Sequence, residues 1–458
     1  MFLYILIPLI PLAASITLAL SGRRLSGQGH RIVIPAVAAS FVLSVAAFFD
    51  VVGGGAVRVP LYRFLESGDL VVDLALFIDQ LTVLLLLLVT GVSAVVQVYS
   101  ARYMIGDSRH SRFFALTSLF TSAMILLVMS SNLLLTYIFW EVMGLCSYLL
   151  ISHYAQRRSA YRAATKVFLV NAVADVGLGL GVILTFRAFG TLDIPQILAN
   201  VDRVAGETVQ LAPWLGIDAS VSLVTLITLF LFVGAMGKSA QVPLHVWLPL
   251  AMEAPTPVSA LIHAATMVNA GPFLLVRLSP LIALSPTAMT VIACVGGLTA
   301  VFAALVALPQ SDVKRTLAYS TISQLGFMTL LCGLGAFAAA IFHLLAHGFF
   351  KAFLFLSTGN VLAATHPRRH EEHQPTGGGA MKALGMGALL LSVFPPIVLF
   401  SGPYEDLWRG QGFTAAGLGF WLVGLGTVFF TSIYLFRAAT TLFTEAPPSG
   451  RVGPRTDA

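Results

Sequence analysis

The chain has 458 residues, of which 57% are hydrophobic and only 10% charged, with 26 Lys and Arg against 20 Asp and Glu. A soluble globular protein carries about 25% charged residues. This composition, with a mean hydropathy of +0.90, excludes a soluble domain and points to a polytopic, all-α membrane protein; the net charge of +6 then concerns the two sides of a bilayer, not nucleic acid.

A helix that crosses the bilayer needs about 20 mostly apolar residues. Read in that unit, the sequence predicts about 13 spans: 2–21, 32–52, 78–99, 113–130, 132–152, 166–187, 221–241, 256–277, 286–308, 316–334, 336–362, 383–401 and 415–443. The first has no charged stretch before it and no small-residue cleavage pattern after it, so it is expected to be retained. The first real loop, 53–77, alternates around turn residues and predicts a small external hairpin. The second, 188–218, has room for a surface helix. The final stretch, 445-EAPPSGRVGPRTDA-458, has the composition of a disordered tail.

Loops after odd-numbered spans, with the C-terminal end, hold 18 Lys and Arg against 6 on the other side. The positive-inside rule then puts those loops in the cytoplasm and the N-terminus outside, in an inner (plasma) membrane. The two remaining cations, Lys238 and Lys351, lie inside spans. Two spans carry similar interruptions, 234-GAMGKSAQVP-243 and 394-FPPIVLFSGP-403. Paired Gly/Pro breaks in two halves of a chain suggest an internal repeat with a site near mid-membrane; ordinary Gly/Pro enrichment in membrane helices is the alternative.

A charge at the bilayer centre costs about 2.5–3.5 kcal/mol on insertion scales, so intramembrane ionisable groups are the candidate site. They are Glu141 in 138-IFWEVMGLCSY-148, Asp175 in 171-NAVADVGLG-179, Lys238, His263 in 261-LIHAATM-267, and His343, His347 and Lys351 in 342-FHLLAHGFFKAFLFL-356. Lys314 stands at the start of a span. Residues at i, i+4 and i+8 drift by about 40° per step, so the last three form one stripe rising about 12 Å. A row of groups titrating near neutrality is what a proton relay requires. His263 alone also fits a helix–helix hydrogen bond, Lys314 a cytoplasmic anchor, and Asp175 a cap or a partner for a cytoplasmic Arg. Glu141 and Lys238, each the only acid or base in its apolar stretch, fit the functional reading best.

Redox chemistry finds little support. Cys146, Cys294 and Cys332 are isolated, without metal-ligand spacing to His. His343 and His347 share one helix, whereas b-type haem usually takes its two axial His from different helices. No nucleotide-binding glycine pattern follows a strand. No cofactor and no metal are expected in this chain.

The blocks 139-FWEVMGLCSYLLI-151, 234-GAMGKSAQVPLHVWLPLAMEAPTPVSALIHAATMVNAG-271, 312-DVKRTLAYSTISQLGFM-328 and 341-IFHLLAHGFFKAFLFLSTGNVL-362 closely resemble the antiporter-like subunits of respiratory complex I, above all the L subunit, or chain 5. Related subunits occur in multisubunit Na+/H+ antiporters, membrane hydrogenases and an inorganic-carbon uptake module. The resemblance runs from about residue 75 to 443. It implies two inverted five-helix repeats, each with a broken helix, over 113–277 and 278–443, preceded by N-terminal helices and the hairpin over 1–112 and followed by the tail 444–458. It also implies that Glu141 pairs with Lys238 and that Asp175 tunes that pair. His263 then joins the axis to His343, His347 and Lys351; Lys314, from its place at a span start and not from the resemblance, is read as a tuning or entry group.

Departures from the family pattern bear on the exit. Ala172 stands where an Arg is usual and His245 where a Gln is common. Gly402 replaces the expected exit Lys, with Glu405, Asp406 and Arg409 nearby. The sequence stops short of the family's later helices and lateral arm, which leads to the expectation of a truncated or specialised paralogue. The reading is a non-redox, proton-translocating subunit of an NADH-quinone oxidoreductase-type assembly, with other membrane subunits as partners. The alternative is an energising subunit of a cation antiporter, membrane hydrogenase or inorganic-carbon complex, with Na+ as the alternative ion. A quinone- or haem-binding redox subunit is the third reading.

Overall fold

The computed structural model describes residues 1–365 except 23, 26, 69 and 212–218, together with scattered positions between 419 and 433. The expected span 383–401, the second interruption at 394–403, Gly402 with its acidic neighbours, and the tail lie outside the described residues.

Two prolines, Pro8 and Pro11, sit inside the first helix, α1 (Phe2–Ser21). Each removes an amide that would have bonded the carbonyl four residues earlier, and lipid offers no water to replace it. The Ile7 carbonyl, freed by Pro11, accepts from Ser40 Oγ at 2.9 Å; Ser40 lies on α2 (Gly29–Gly54). From α4 (His110–Met129), Ser118 and Ser122 donate to the carbonyls of Pro11 and Pro8 at 2.7 and 2.9 Å. Hydroxyl side chains thus fasten the proline-bearing helix to both neighbours.

The remaining helices are α3 (Gln80–Tyr103), α5 (Leu133–Ile151), α6 (Arg158–Phe189), α7 (Ile194–Ala199), α8 (Leu223–Lys238), α9 (Thr256–Ala264), α10 (Ala270–Arg277), α11 (Ser279–Ala283), α12 (Pro286–Ala307), α13 (Val313–Gly333) and α14 (Phe337–Thr365). Among the described residues nine helices, with α9 and α10 taken as one, are long and apolar enough to cross a membrane. The fold is polytopic and mostly helical. Two expected spans fall outside those nine for physical reasons. The span expected at 221–241 stops at Lys238 as the 16-residue α8. The one expected at 316–334 is α13, whose polar run Ser320, Thr321, Ser323 and Gln324 lowers its hydropathy.

The span expected at 256–277 is itself broken, between α9 and α10. Thr266 Oγ1 donates to the Leu261 carbonyl at 2.7 Å and Asn269 Nδ2 to that of Ala264 at 2.8 Å. The second bond supplies a donor to a carbonyl at the end of α9, and the first adds to the Ala265 amide already on the Leu261 carbonyl. Elsewhere small residues set close approach: a Cβ on Gly296 of α12 would lie 2.3 Å from the Leu330 amide, and one on Gly326 of α13 would lie 2.5 Å from the Ala300 amide. Such glycines let the α12 and α13 backbones touch, which is how helices gain packing in lipid.

The cation-poor ends of the helices carry the irregular structure. β1 (Val57–Ser67) and β2 (Leu70–Ile78) pair antiparallel, Val57 opposite Ile78. After α7 comes a second hairpin, β3 (Thr208–Leu211) with β4 (Ala219–Ser222), which sequence reasoning did not anticipate. Arg58 on β1 meets Asp193, the N-cap of α7, at 2.6 Å. Asp79 caps α3 and holds Arg277, the last residue of α10, through two bonds of 2.5 and 3.0 Å. Burial alone would raise the Asp79 carboxyl; the Arg277 guanidinium and the Thr82 hydrogen bonds outweigh it and hold the group below its ordinary value.

Candidate functional site

The first cluster forms where α8 ends. Ala240, just beyond, takes the left-handed φ of 49° and the Val242–Pro243 bond is cis. Trp247 Nε1 donates to the Gly237 carbonyl at 2.8 Å, closing part of the frayed end. Lys238, fully buried, is thereby a cation at a helix C-terminus, the favourable end of the helix dipole.

Its ammonium lies 2.9 Å from Asp175 Oδ2 on α6. The other oxygen of Asp175 accepts from Trp140 Nε1 at 2.7 Å, and the Trp140 ring centroid is 5.9 Å from the ammonium. Gly144, one turn beyond Trp140 on α5, makes room: a Cβ there would stand 2.9 Å from Lys238 Nζ. Glu141 is half-buried. It interacts with Tyr137 one turn earlier on α5 and lies within electrostatic range of both Asp175 and Lys238. Among the described residues, Lys238 forms its ion pair with Asp175 and not with Glu141.

The second cluster lies along α14 against α13 and α9. His343 Nε2 is 2.7 Å from Gln324 Oε1, and Gln324 Nε2 donates to Thr431 Oγ1 at 3.0 Å. The His343 and His347 rings stack with centroids 6.3 Å apart. The Lys351 ammonium donates to Ser320 Oγ and lies 3.5 Å from the Leu317 carbonyl. His263 on α9 stacks on Phe355, one turn past Lys351, at 5.2 Å. Both ring nitrogens of His263 and of His347 are buried without a hydrogen-bond partner among the described residues. A buried polar atom left so costs roughly 1–3 kcal/mol and calls for a ligand, an ion or water.

The structure therefore gathers Glu141, Asp175 and Lys238 in one cluster and His263, His343, His347 and Lys351 in another. Lys314 stands apart, in the first turn of α13 on the cation-rich side. Burial lowers its amine from the ordinary value, against the opposing pull of Asp312 and Glu253. Sequence reasoning missed Trp140, Gly144, Ser320 and Gln324. For the last two a signal was present: hydroxyl and amide residues four apart in a membrane helix, at the spacing that faces one neighbour.

Fold and site define a polytopic helical membrane protein with buried ionisable groups on facing helices. A family described as "NADH:quinone oxidoreductase/Mrp antiporter, TM" matches residues 130–395, and "NADH-Ubiquinone oxidoreductase (complex I), chain 5 N-terminus" matches residues 64–114. The chain is 40% identical to NADH-quinone oxidoreductase subunit L of Neisseria meningitidis serogroup B, over 97% of its own length and 67% of the relative's. It is also 40% identical to NADH-ubiquinone oxidoreductase chain 5 of Triticum aestivum, over 95% and 65%. The chain belongs to the NADH:quinone oxidoreductase/Mrp antiporter transmembrane family.

It spans about two thirds of the length of these curated relatives. Among solved structures it is similar to a chain of the Mrp complex from Dietzia sp., with a TM-score of 0.80 at 28% identity, covering 95% of this chain and 47% of that one. The membrane-bound sulfane sulfur reductase, an archaeal respiratory membrane complex, shares the fold, with a TM-score of 0.77 at 18% identity over 99% of this chain and 90% of that one.

Proposed function

We propose that the chain is a proton-translocating membrane subunit of a complex I-like assembly, with no redox centre of its own. The observation that carries this reading is the set of orphaned ring nitrogens on His263 and His347, buried in the same bundle that buries Lys238 and Lys351. Bulk lipid cannot satisfy such atoms; a hydrated path through the bundle can.

Asp175 holds the Lys238 ammonium, and Glu141 offers a second carboxylate in range. Drawing Asp175 away leaves Lys238 without its counter-charge inside the bundle, where an uncompensated buried charge is costly. The released proton passes through water to His263 and on to Lys351, whose amine rests on Ser320; His347 and His343 extend the row toward Gln324. The half-exposed Glu141 is costly to leave against acyl chains, which favours a partner subunit on that face. Family membership and the Lys/Arg bias support an inner-membrane location with the N-terminus outside. The two inverted repeats over 113–277 and 278–443, about 13 spans in all, belong to the same proposal.

Replacing Lys238 with Ala in the assembled complex, reconstituted in liposomes, tests this. Pumping should cease while electron transfer in the partners remains measurable; wild-type pumping would refute it. A second reading, a subunit of a cation/proton antiporter, is favoured by the likeness to the Mrp complex chain. It requires transport to depend on external Na+, whereas the first reading requires unchanged pumping in sodium-free buffer.

A further inference from the structure

On the cation-rich side, the starts of α6 and α13 and the turn before α9 border a half-open cavity of about 540 Å³. Arg157, Arg162, Lys166, Lys314 and Arg315 line it. The ion pairs found among the described residues involve none of these five cations. Two carboxylates share the lining, and both are engaged. Glu253 accepts from Ser159 Oγ at 3.1 Å, and Asp312 accepts from the Lys314 amide at 2.8 Å as the cap of α13. The first turn of α6 has no side-chain cap, so its free amides add to the positive field there. A cavity whose five cations outnumber its two carboxylates, beside a bare helix start, suits a phosphate group.

The same face of α6 says what carries that phosphate. From Arg162 and Lys166 it continues through Leu169, Val173, Val176, Leu180 and Ile183, at alternating steps of three and four that keep one helix face. These five are exposed, Val173 at 68%. From Lys166 to Ile183 the helix rises about 25 Å, enough for an acyl chain that reaches half of a hydrocarbon core about 30 Å thick. We propose that this cavity binds the phosphate of an anionic phospholipid from the cation-rich side, whose acyl chains lie along the exposed face of α6. A free phosphate ion would use the same cations but leave the apolar strip without a role. The site is separate from the two ionisable clusters and does not rest on the relay reading.

The test titrates the purified full chain in detergent with phosphatidylglycerol, phosphatidylcholine and inorganic phosphate, reading retained adducts by native mass spectrometry. Phosphatidylglycerol should be retained in preference to phosphatidylcholine. R162Q/K166Q should weaken it by at least about tenfold, given that each basic residue near a membrane surface contributes on the order of 1 kcal/mol. E253Q, which removes a competing carboxylate, should strengthen it. Equal retention of the two lipids, or unchanged phosphatidylglycerol affinity in R162Q/K166Q, overturns the proposal. So does inorganic phosphate that phosphatidylglycerol cannot displace, or a partner chain seated directly on the α6 face of the assembled complex. If the double variant fails to fold, E253Q carries the test, and an unchanged affinity there overturns the proposal as well.

Discussion

Lys238 Nζ stands 2.9 Å from Asp175 Oδ2, an ion pair sealed inside the bundle between the last residue of α8 and the middle of α6. The pair joins residues 63 apart in sequence, and Trp140 fixes the second oxygen of the carboxylate. Asp175 therefore compensates a buried cation, and the ammonium rests on it and not on Glu141.

Removing one member of such a pair strands a buried charge, at a typical cost of about 3–5 kcal/mol. D175N should lower the thermal midpoint of the purified chain sharply and abolish pumping. Replacing both partners in D175N/K238M should restore much of the stability and none of the transport. Stability and pumping measured on the same preparations check both halves; if D175N keeps wild-type stability, the ion pair is not the structural element argued above.

Gly144 is where space, not charge, decides the position of Lys238. A methyl group at this site would lie 2.9 Å from the ammonium, closer than the contact tolerates, so G144A should push the side chain off Asp175. Misplacement of a reacting group by about 1 Å can cost on the order of 100-fold in rate. The expected result is a folded chain with transport reduced at least tenfold on that scale. Intact pumping in G144A would show that the ammonium does not work from the position seen here.

The Asp79–Arg277 pair gives a pH signature outside the site. Since the folded carboxyl lies below its ordinary value, the pair stabilises fully above the unfolded-state pKa of about 3.9 and loses that contribution as pH falls through the folded value. A comparison of wild type with D79N should show a constant gap of about 1.5–3 kcal/mol near neutrality. The gap should close below about pH 4. A gap that widens in acid would reverse the sign and disprove the assignment.

Ser40 and Pro11 make a double-mutant cycle. S40A strands the Ile7 carbonyl and should cost about 0.6–1.7 kcal/mol, the range measured for interhelical bonds in membranes. P11L restores the missing amide, so in that background S40A should cost almost nothing. Unfolding in detergent reads both legs; additive effects would mean that the serine does not serve that carbonyl.

Much of this architecture was legible because lipid imposes a single rule on helices. The expected spans 2–21 and 286–308 lie on α1 and α12 to within a residue, since each is an apolar run free of charged residues, and in α1 neighbouring serines serve carbonyls beside Pro8 and Pro11. The interruption after Lys238 was legible from its Gly, Ser and Pro residues. The break at 265–269 was not, because 264-AATMVNAG-271 stays apolar enough to read as one helix; only Thr266 and Asn269, whose side chains bond back to carbonyls of α9, hint at it. The candidate groups were legible as charges in the wrong solvent. Their pairing was not. Whether Lys238 meets Glu141 or Asp175 depends on how closely α6 and α8 approach, and Gly177, Gly181, Gly234 and Gly237 set that approach through contacts that no linear pattern encodes.

The central claim is that water connects the two buried clusters. The most direct measurement is a map of the chain within its native assembly, at a resolution that shows ordered solvent around Lys238, His263, His347 and Lys351. The account predicts density for water within hydrogen-bond reach of the His263 and His347 ring nitrogens, continuous toward both lysines. Dry side-chain packing around those nitrogens, with no solvent path from Lys238 to Lys351, would contradict it.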